Sequence, residues 1–275
     1  MTVADASLRD RVVIVTGAAR GLGREMALEL AQAGARVVLT ASADSDALRD
    51  TVEQIAPDRV LALVADAADP AEAERVVART QAHFGRVDVL VNNAGRGMRL
   101  ISETFNTTPT RFWETRPEDW RSIIDVNLNG AFYMARAVTP GMIAQGFGKI
   151  INISTSDMTM VRRGYAPYGP SKAGLEAASR VWAQDLAGTG VDVNVYLPGG
   201  AADTDLLPPG PGKKGADGNL LPASIMRKGI GWLCSDRSNG VTGARFIARL
   251  WDQALDPDTA AAGARSAPVD RPAIL

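Results

Sequence analysis

Short runs of residues that are apolar nearly throughout constrain this chain more than any other feature. Residues 11–16 (RVVIVT), 35–40 (ARVVLT), Val60–Val64, 87–91 (VDVLV), 149–153 (KIINI) and 191–196 (VDVNVY) are such runs. A strand with one wet face alternates apolar and polar residues. A strand apolar on both faces needs cover on both, as in a parallel sheet. Longer stretches with helical spacing lie between the runs, among them residues 23–33 and Pro70–Phe84. This order predicts an α/β fold, a doubly wound parallel sheet of the Rossmann type with helices on both faces and right-handed crossovers.

The chain has 275 residues, 46% of them hydrophobic, enough for a sizeable core. No repeat or linker divides it, so one dinucleotide-binding domain over residues 1–275 is expected. Two segments break the rhythm and read as long irregular loops. Residues 96–116 are polar and aromatic, and residues 199–222 are rich in glycine and proline. Residues 252–275, rich in alanine and proline, read as a disordered tail or a strap over the surface. Thirty basic residues balance thirty-one acidic ones, which leaves no basic field for nucleic acid or an anionic membrane. Cys234 is the sole cysteine and His83 the sole histidine, so neither an internal disulfide nor a metal site is expected. Cys234 reads as a buried small hydrophobe and His83 as a helix-end or solvated residue. The N-terminal ten residues lack the pattern of a signal peptide, and no apolar run has the length of a membrane span. A cytoplasmic location is the expectation.

The first run ends in Thr16, Gly17, Ala18, Ala19, Arg20, Gly21, Leu22 and Gly23, and a helix follows. Gly17 permits a tight turn, Gly21 lets backbone approach a phosphate, and Gly23 lets the helix pack close to the sheet. A pyrophosphate would then lie at the helix N-terminus, where unpaired N–H groups and the dipole favour negative charge. An acidic residue at the end of the second strand would bind the ribose 2′-hydroxyl of NAD. Here that strand ends Thr40, Ala41, Ser42, with no carboxylate before Asp44. Arg20 could pair with a 2′-phosphate, and Thr40 and Ser42 could add hydroxyl donors. NADP(H) is therefore favoured, with NAD(H) possible.

With these residues in place, the sequence resembles the short-chain dehydrogenase/reductase family over roughly residues 8 to 250. Gly17, Gly21 and Gly23 follow that family's spacing. Asn92, Asn93, Ala94 and Gly95 close the fourth strand as the family's motif does. Asn127 follows, then Tyr168 and Lys172 in the pattern Tyr-x-x-x-Lys, then Pro198 and Gly199 after the sixth strand. The resemblance implies a hydride transfer between a nicotinamide cofactor and a carbonyl or secondary alcohol of a small organic molecule. Leu22, Asp66, Asn93, Ala94 and Gly95 would border the cofactor, together with Tyr168, Lys172, Pro198, Gly199 and Thr204. Tyr168 would be the general acid/base, Lys172 would lower its pKa and hold the nicotinamide ribose, and Asn127 would help relay protons through ordered water. Residues four apart on a helix share a face, and a nearby ammonium favours a phenolate. The hydroxyl that orients the substrate oxygen falls on Thr155 by direct count from Tyr168, or on Ser156 if the following loop is one residue short.

Several departures bear on the substrate. Phe105, Phe112 and Trp113 could wall a pocket, or pack on the surface or a partner subunit. Val241, Thr242 and Gly243 match the family's final strand, but Ile247 to Trp251 replace its glycine pair, so the tail could cross the pocket. Pro117, Glu118 and Asp119 read as a helix start. Gly169, Ala173, Gly174 and Ala177 make one helix small-sided, which suits a homodimer or homotetramer. A competing reading is a cofactor-binding sensor or assembly protein with little activity. A sugar-nucleotide epimerase or dehydratase of the longer related branch is a third, disfavoured by the glycine spacing.

Overall fold

The six apolar runs form six of seven parallel strands, within three residues of their expected limits: β1 (Val12–Val15), β2 (Arg36–Ala41), β3 (Val60–Val64), β4 (Val89–Asn92), β5 (Gly148–Ile153) and β6 (Val191–Leu197). The seventh, β7 (Arg245–Ile247), pairs with β6 at the sheet edge. This computed structural model describes residues 8–210, 213–215 and 218–267. The expected loop 199–222 and tail 252–275 thus lie in part outside the described residues. The sheet order is β3-β2-β1-β4-β5-β6-β7. The chain winds outward from β1 to β3, then crosses back to lay β4 on the other side of β1. A crevice opens at that reversal, beyond the C-terminal ends of β1 and β4.

Nine helices are described: α1 (Gly21–Gln32), α2 (Asp46–Glu53), α3 (Pro70–Phe84), α4 (Pro117–Ile124), α5 (Gly130–Ala144), α6 (Asp157–Met160), α7 (Tyr168–Asp185), α8 (Arg227–Cys234) and α9 (Pro257–Ala264). Alternate residues of each strand feed two cores. Val13, Val15, Val37 and Leu39 pack with Met26 and Leu30 of α1, Ile230 of α8 and Ala260 of α9. Ile14, Val38 and Leu90 pack with Val76 of α3, Met134 of α5 and Ala183 of α7. Each of the valine, leucine, isoleucine and methionine side chains stabilises by about 1.5–3 kcal/mol on burial. A one-residue slip of a strand would exchange its two faces, so the paired cores hold the register.

The C-terminal region departs from the sequence expectation. The last strand is residues 245–247 rather than 241–243. Thr242 and Gly243 instead bind Val193 of β6 through a hydroxyl and a backbone N–H. The tail does not cross the crevice within the described residues. Residues 257–264 form α9, which packs on α8 and β7. Trp251 is buried against Gly229, where a Cβ would lie 2.5 Å from the indole ring. Among the described residues no helix is long and apolar enough to cross a membrane. His83 is exposed at the end of α3 and meets Phe84 edge-on, and Cys234 is fully buried.

Candidate active site

The glycine turn is clasped from the opposite side of the crevice. Asn93, just past β4, donates from Nδ2 to the carbonyls of Thr16 (2.8 Å) and Gly17 (3.0 Å). The Thr16 hydroxyl accepts from the N–H groups of Asn93 and Ala94, both at 2.9 Å. Gly17 and Gly21 stand at φ of 65° and 59°, a region that L side chains rarely enter. A Cβ on Gly23 would lie 2.4 Å from Asn93 Nδ2 and 2.5 Å from the Gly17 carbonyl, so only glycine admits the clasp. Helix α1 starts with no side-chain cap at Arg20, which leaves its first-turn donors to a ligand. Leu22 lies in this first turn and packs on the core. These residues fit the diphosphate of a dinucleotide.

At the end of β2, Thr40 and Ala41 are buried and Ser42 is exposed. Asp44 pairs with Arg49 at 2.5 Å. Arg20 is exposed and meets Asp205 of the irregular loop at 2.8 Å. Asp66, after β3, accepts from the N–H of Ala68 and so shapes its own turn.

The second cluster is built on α7 and the residues that follow β5. Tyr168 and Lys172 occupy the first turns of α7. Lys172 is buried and donates to the carbonyl of Ile153 at 2.8 Å. Its ammonium lies 4.0 Å from where Gly95 would carry a Cβ, which sets it at the crevice wall. Asn127 sits in a π turn, Asp125–Asn129, between α4 and α5. Such turns are common at functional sites. Both its amide hydrogens are taken, by the Arg96 carbonyl (3.0 Å) and by Ser171 Oγ (3.0 Å), while Oδ1 accepts from Arg96 N (2.7 Å). Ser171 and Arg96 hold this residue, and neither was singled out from sequence. Ser171 lies within the Tyr-x-x-x-Lys motif and Arg96 follows Gly95, which are the only signals that pointed to them.

The two candidate hydroxyls are separated by their partners. Thr155 lies close enough to the Tyr168 phenol to lower its pKa. Ser156 is spent as the N-cap of α6, where its oxygen accepts from Thr159 N and pairs with Thr159 Oγ1 at 2.8 Å. The charge states also differ from expectation. Burial pushes the Tyr168 phenol up to about 12; Thr155 offsets this in part, and Tyr165 adds to it. Burial likewise pushes Lys172 down to about 8, with Glu176 acting in the opposite direction. Lys172 is not among the groups that shift the phenol here; desolvation is the largest cause acting on each of the two residues.

A family model described as short chain dehydrogenase matches residues 11–210. The chain belongs to the short-chain dehydrogenase family. A short-chain type dehydrogenase/reductase of Picea abies is 38% identical over 208 residues, 73% of each chain. A 3-oxoacyl-(acyl-carrier-protein) reductase of Escherichia coli is 32% identical over 240 residues, 85% of this chain and 93% of that one. The crystal structure of a 3-ketoacyl-(acyl-carrier-protein) reductase from Brucella melitensis, complexed with NADH, superposes with a TM-score of 0.75 at 27% identity. It covers 87% of this chain and 96% of its own.

On the substrate side this dehydrogenase draws its irregular loops over the crevice. Phe105 is buried, packs edge-on against Tyr165 with ring centroids 5.4 Å apart, and joins Met98, Ile101, Leu207 and Tyr168 in a small apolar cluster. Phe112 and Trp113, in contrast, are 67% and 65% exposed. Thr204 lies 3.3 Å from the Cβ position of Gly21, and Leu206 lies 3.0 Å from that of Gly97. Arg99 donates to the Asp205 carbonyl at 2.8 Å. Residues 204–206 therefore bridge the glycine turn and the 97–100 segment. Pro198 accepts from Arg249 N at 3.0 Å. A Cβ on Gly199 would meet Ile247 at 2.5 Å, which shows how residues 247–251 are accommodated in place of a glycine pair.

Proposed function

We propose that the enzyme reduces a carbonyl to an alcohol with NADP(H), and that Tyr168 supplies the proton. The observation that carries this reading is the Thr155–Tyr168–Lys172 cluster, set at the crevice wall beside the glycine turn. When bound, the nicotinamide supplies the hydride. Its diphosphate would be held at the start of α1 by Gly17, Gly21, Leu22 and Gly23, and its adenosine half by Thr40, Ala41, Ser42, Asp66, Asn93, Ala94 and Gly95. Lys172, Pro198, Gly199 and Thr204 would hold the nicotinamide half. Thr155 orients the substrate oxygen against the phenol. A phenol at about 12 is protonated at neutral pH, the form needed to protonate a nascent alkoxide. Lys172, at about 8, is then still cationic and stabilises the phenolate left behind. Asn127 fixes the backbone on which water could reach this cluster. The apolar cluster beside Tyr168 suits an acyl or alkyl substituent. The named relatives make a 3-oxoacyl thioester the first substrate to try, beside small ketones.

The absence of a carboxylate at Ala41 and the presence of Arg20 favour the phosphorylated cofactor. Thermal unfolding with each cofactor tests this. At about a hundred times Kd a ligand adds roughly 2.7 kcal/mol, a shift on the order of 5 °C for a chain of this size. NADPH is expected to shift the midpoint more than NADH. Arg20→Ala is expected to weaken NADPH about tenfold and leave NADH nearly unchanged. A larger shift with NADH would sink the preference, and no shift with either would sink the reading. Shifts without turnover of any carbonyl would point instead to a cofactor-binding sensor.

We further propose that a second copy of the chain covers the outer face of α4, α5 and α7. Trp120, Phe132 and Val181 are exposed there, beside exposed Ala173 and Ala177. A Cβ on Gly174 would lie 3.2 Å from Leu128, while Gly169 serves α6 instead, where a Cβ would lie 2.3 Å from the Met160 carbonyl. Sedimentation is expected to give two or four chains, and Phe132→Glu with Val181→Glu to give one. A wild-type chain that sediments alone would refute the proposal.

A further inference from the structure

Arg245 of β7 points from the edge of the sheet toward the catalytic cluster, and three elements meet on its guanidinium. Nη2 donates to the Thr155 carbonyl at 3.0 Å. Nε lies 3.1 Å from both carboxylate oxygens of Glu176, one turn beyond Lys172 on α7. Nη1 reaches Ser266 Oγ at 3.3 Å. The backbone reinforces the last contact. Ser266 N donates to the Arg245 carbonyl at 2.8 Å, and Arg265 bridges antiparallel to Phe246. Both members of the Arg245–Glu176 pair are mostly buried, with side chains 23% and 22% exposed. A planar guanidinium whose three nitrogens each meet a different partner fixes their relative geometry as well as their charge.

We propose that Arg245 is a positioning residue for the reaction, holding the Thr155 peptide in place against α7 and tying both to the C-terminal segment. This rests on the roles given above to Thr155, Tyr168 and Lys172. Thr155 follows the end of β5 and precedes the cap of α6, so its peptide has no ladder partner to hold it. The guanidinium supplies that hold. Through Glu176 the same group sets how much negative charge Lys172 feels. Helix α7 packs against α4, the π turn, β5, α6 and β6. These carry Glu118, Asp119, Arg121, Asp125, Lys149, Asp157 and Asp192. Lys149 and Asp192 pair with each other at 2.9 Å, Asp125 binds Asn129, and Asp157 accepts from Met158 N. Glu118 and Asp119 pair with Arg116. Glu176 is the charge that acts on Lys172.

The two partners therefore have opposite signatures. Removing the Glu176 charge makes the Lys172 cation harder to hold, and removing Arg245 leaves Glu176 unopposed and makes it easier. The test uses the full chain, with carbonyl reduction followed from pH 6.5 to 9.5 and NADPH affinity measured separately. Arg245→Met is expected to lower kcat about tenfold or more, since small displacements of a reacting group are costly. NADPH affinity is expected to stay within about twofold. The alkaline limb of the profile moves up in Arg245→Met and down in Glu176→Gln, and Arg245→Lys restores part of kcat. A kcat within about twofold of wild type in Arg245→Met, or limbs that move together or not at all, would overturn the proposal. Should Arg245→Met fail to fold, Arg245→Lys and Glu176→Gln decide. A lowered kcat in the first and a lowered limb in the second support it, and wild-type behaviour in both overturns it. Full activity in Tyr168→Phe would fell the underlying reading instead.

Discussion

Tyr168→Phe is expected to lower kcat for carbonyl reduction by about 10²–10⁴-fold, the usual contribution of a positioned acid. NADPH affinity is expected to remain within about twofold, because the variant removes one oxygen and leaves the glycine turn intact. The phenol is pushed up to about 12 by burial, so it carries its proton at neutral pH. Without it the alkoxide must take its proton from water, a weaker acid that nothing holds in position. KM is expected to move little, since the interaction lost is made in the transition state. The decisive measurement is a pair of titrations, turnover and cofactor fluorescence, on the same preparation. Loss of both together would assign Tyr168 to folding or binding rather than to proton transfer.

Lys172→Met carries the second large effect, and its sign differs between activity and stability. Turnover is expected to fall by about 10²-fold or more, as the charge that stabilises the phenolate is lost. Stability is expected to rise. Burial holds the Lys172 pKa at about 8, below its ordinary 10.5. Between those values the unfolded chain binds a proton that the folded chain does not, so wild-type stability rises with pH across that window. Below about 8 the cost of the buried cation is present in full, on the order of 3 kcal/mol for a shift of this size. Lys149 is also lowered by burial, so both proteins slope upward, and the difference between them isolates Lys172. Midpoints measured from pH 7 to 9.5 are expected to converge as pH rises. Parallel curves would show that Lys172 is not the strained cation, and a destabilised variant at pH 7 would show that its bond to Ile153 outweighs its burial. An activity–stability trade of this kind is common where a site needs a buried charge.

Much of the site was legible because its residues act locally. Gly17, Gly21 and Gly23 are constrained by backbone geometry between one strand and one helix, and that constraint is written in consecutive residues. Tyr168 and Lys172 share a helix face by spacing alone. Direct counting favoured Thr155, but a loop one residue shorter would have given Ser156, because both carry a hydroxyl just after β5. Their difference lies in α6, which takes Ser156 as its cap and leaves Thr155 to the phenol. Phe105, Phe112 and Trp113 read alike in sequence, yet one is buried beside Tyr165 and two stand in solvent. The tail gave no periodic signal strong enough to place α9, which is seated by burial of Ala260, Ala261 and Ala264, with Trp232 and Arg237 bonding Asp258 at its start.

What the sequence by itself determined is the fold and the family: runs apolar on both faces demand a covered parallel sheet, and the ordered motifs admit one lineage. What only the tertiary structure decided is the electrostatics of the centre and the company it keeps. The Tyr168 and Lys172 pKa values follow from how much water the folded chain removes, which no spacing encodes. Arg245 reaches Thr155 across 90 residues of sequence and Ser266 across 21. Such contacts arise when β7 is laid beside β6, because proximity across a sheet is set by strand order rather than by distance along the chain.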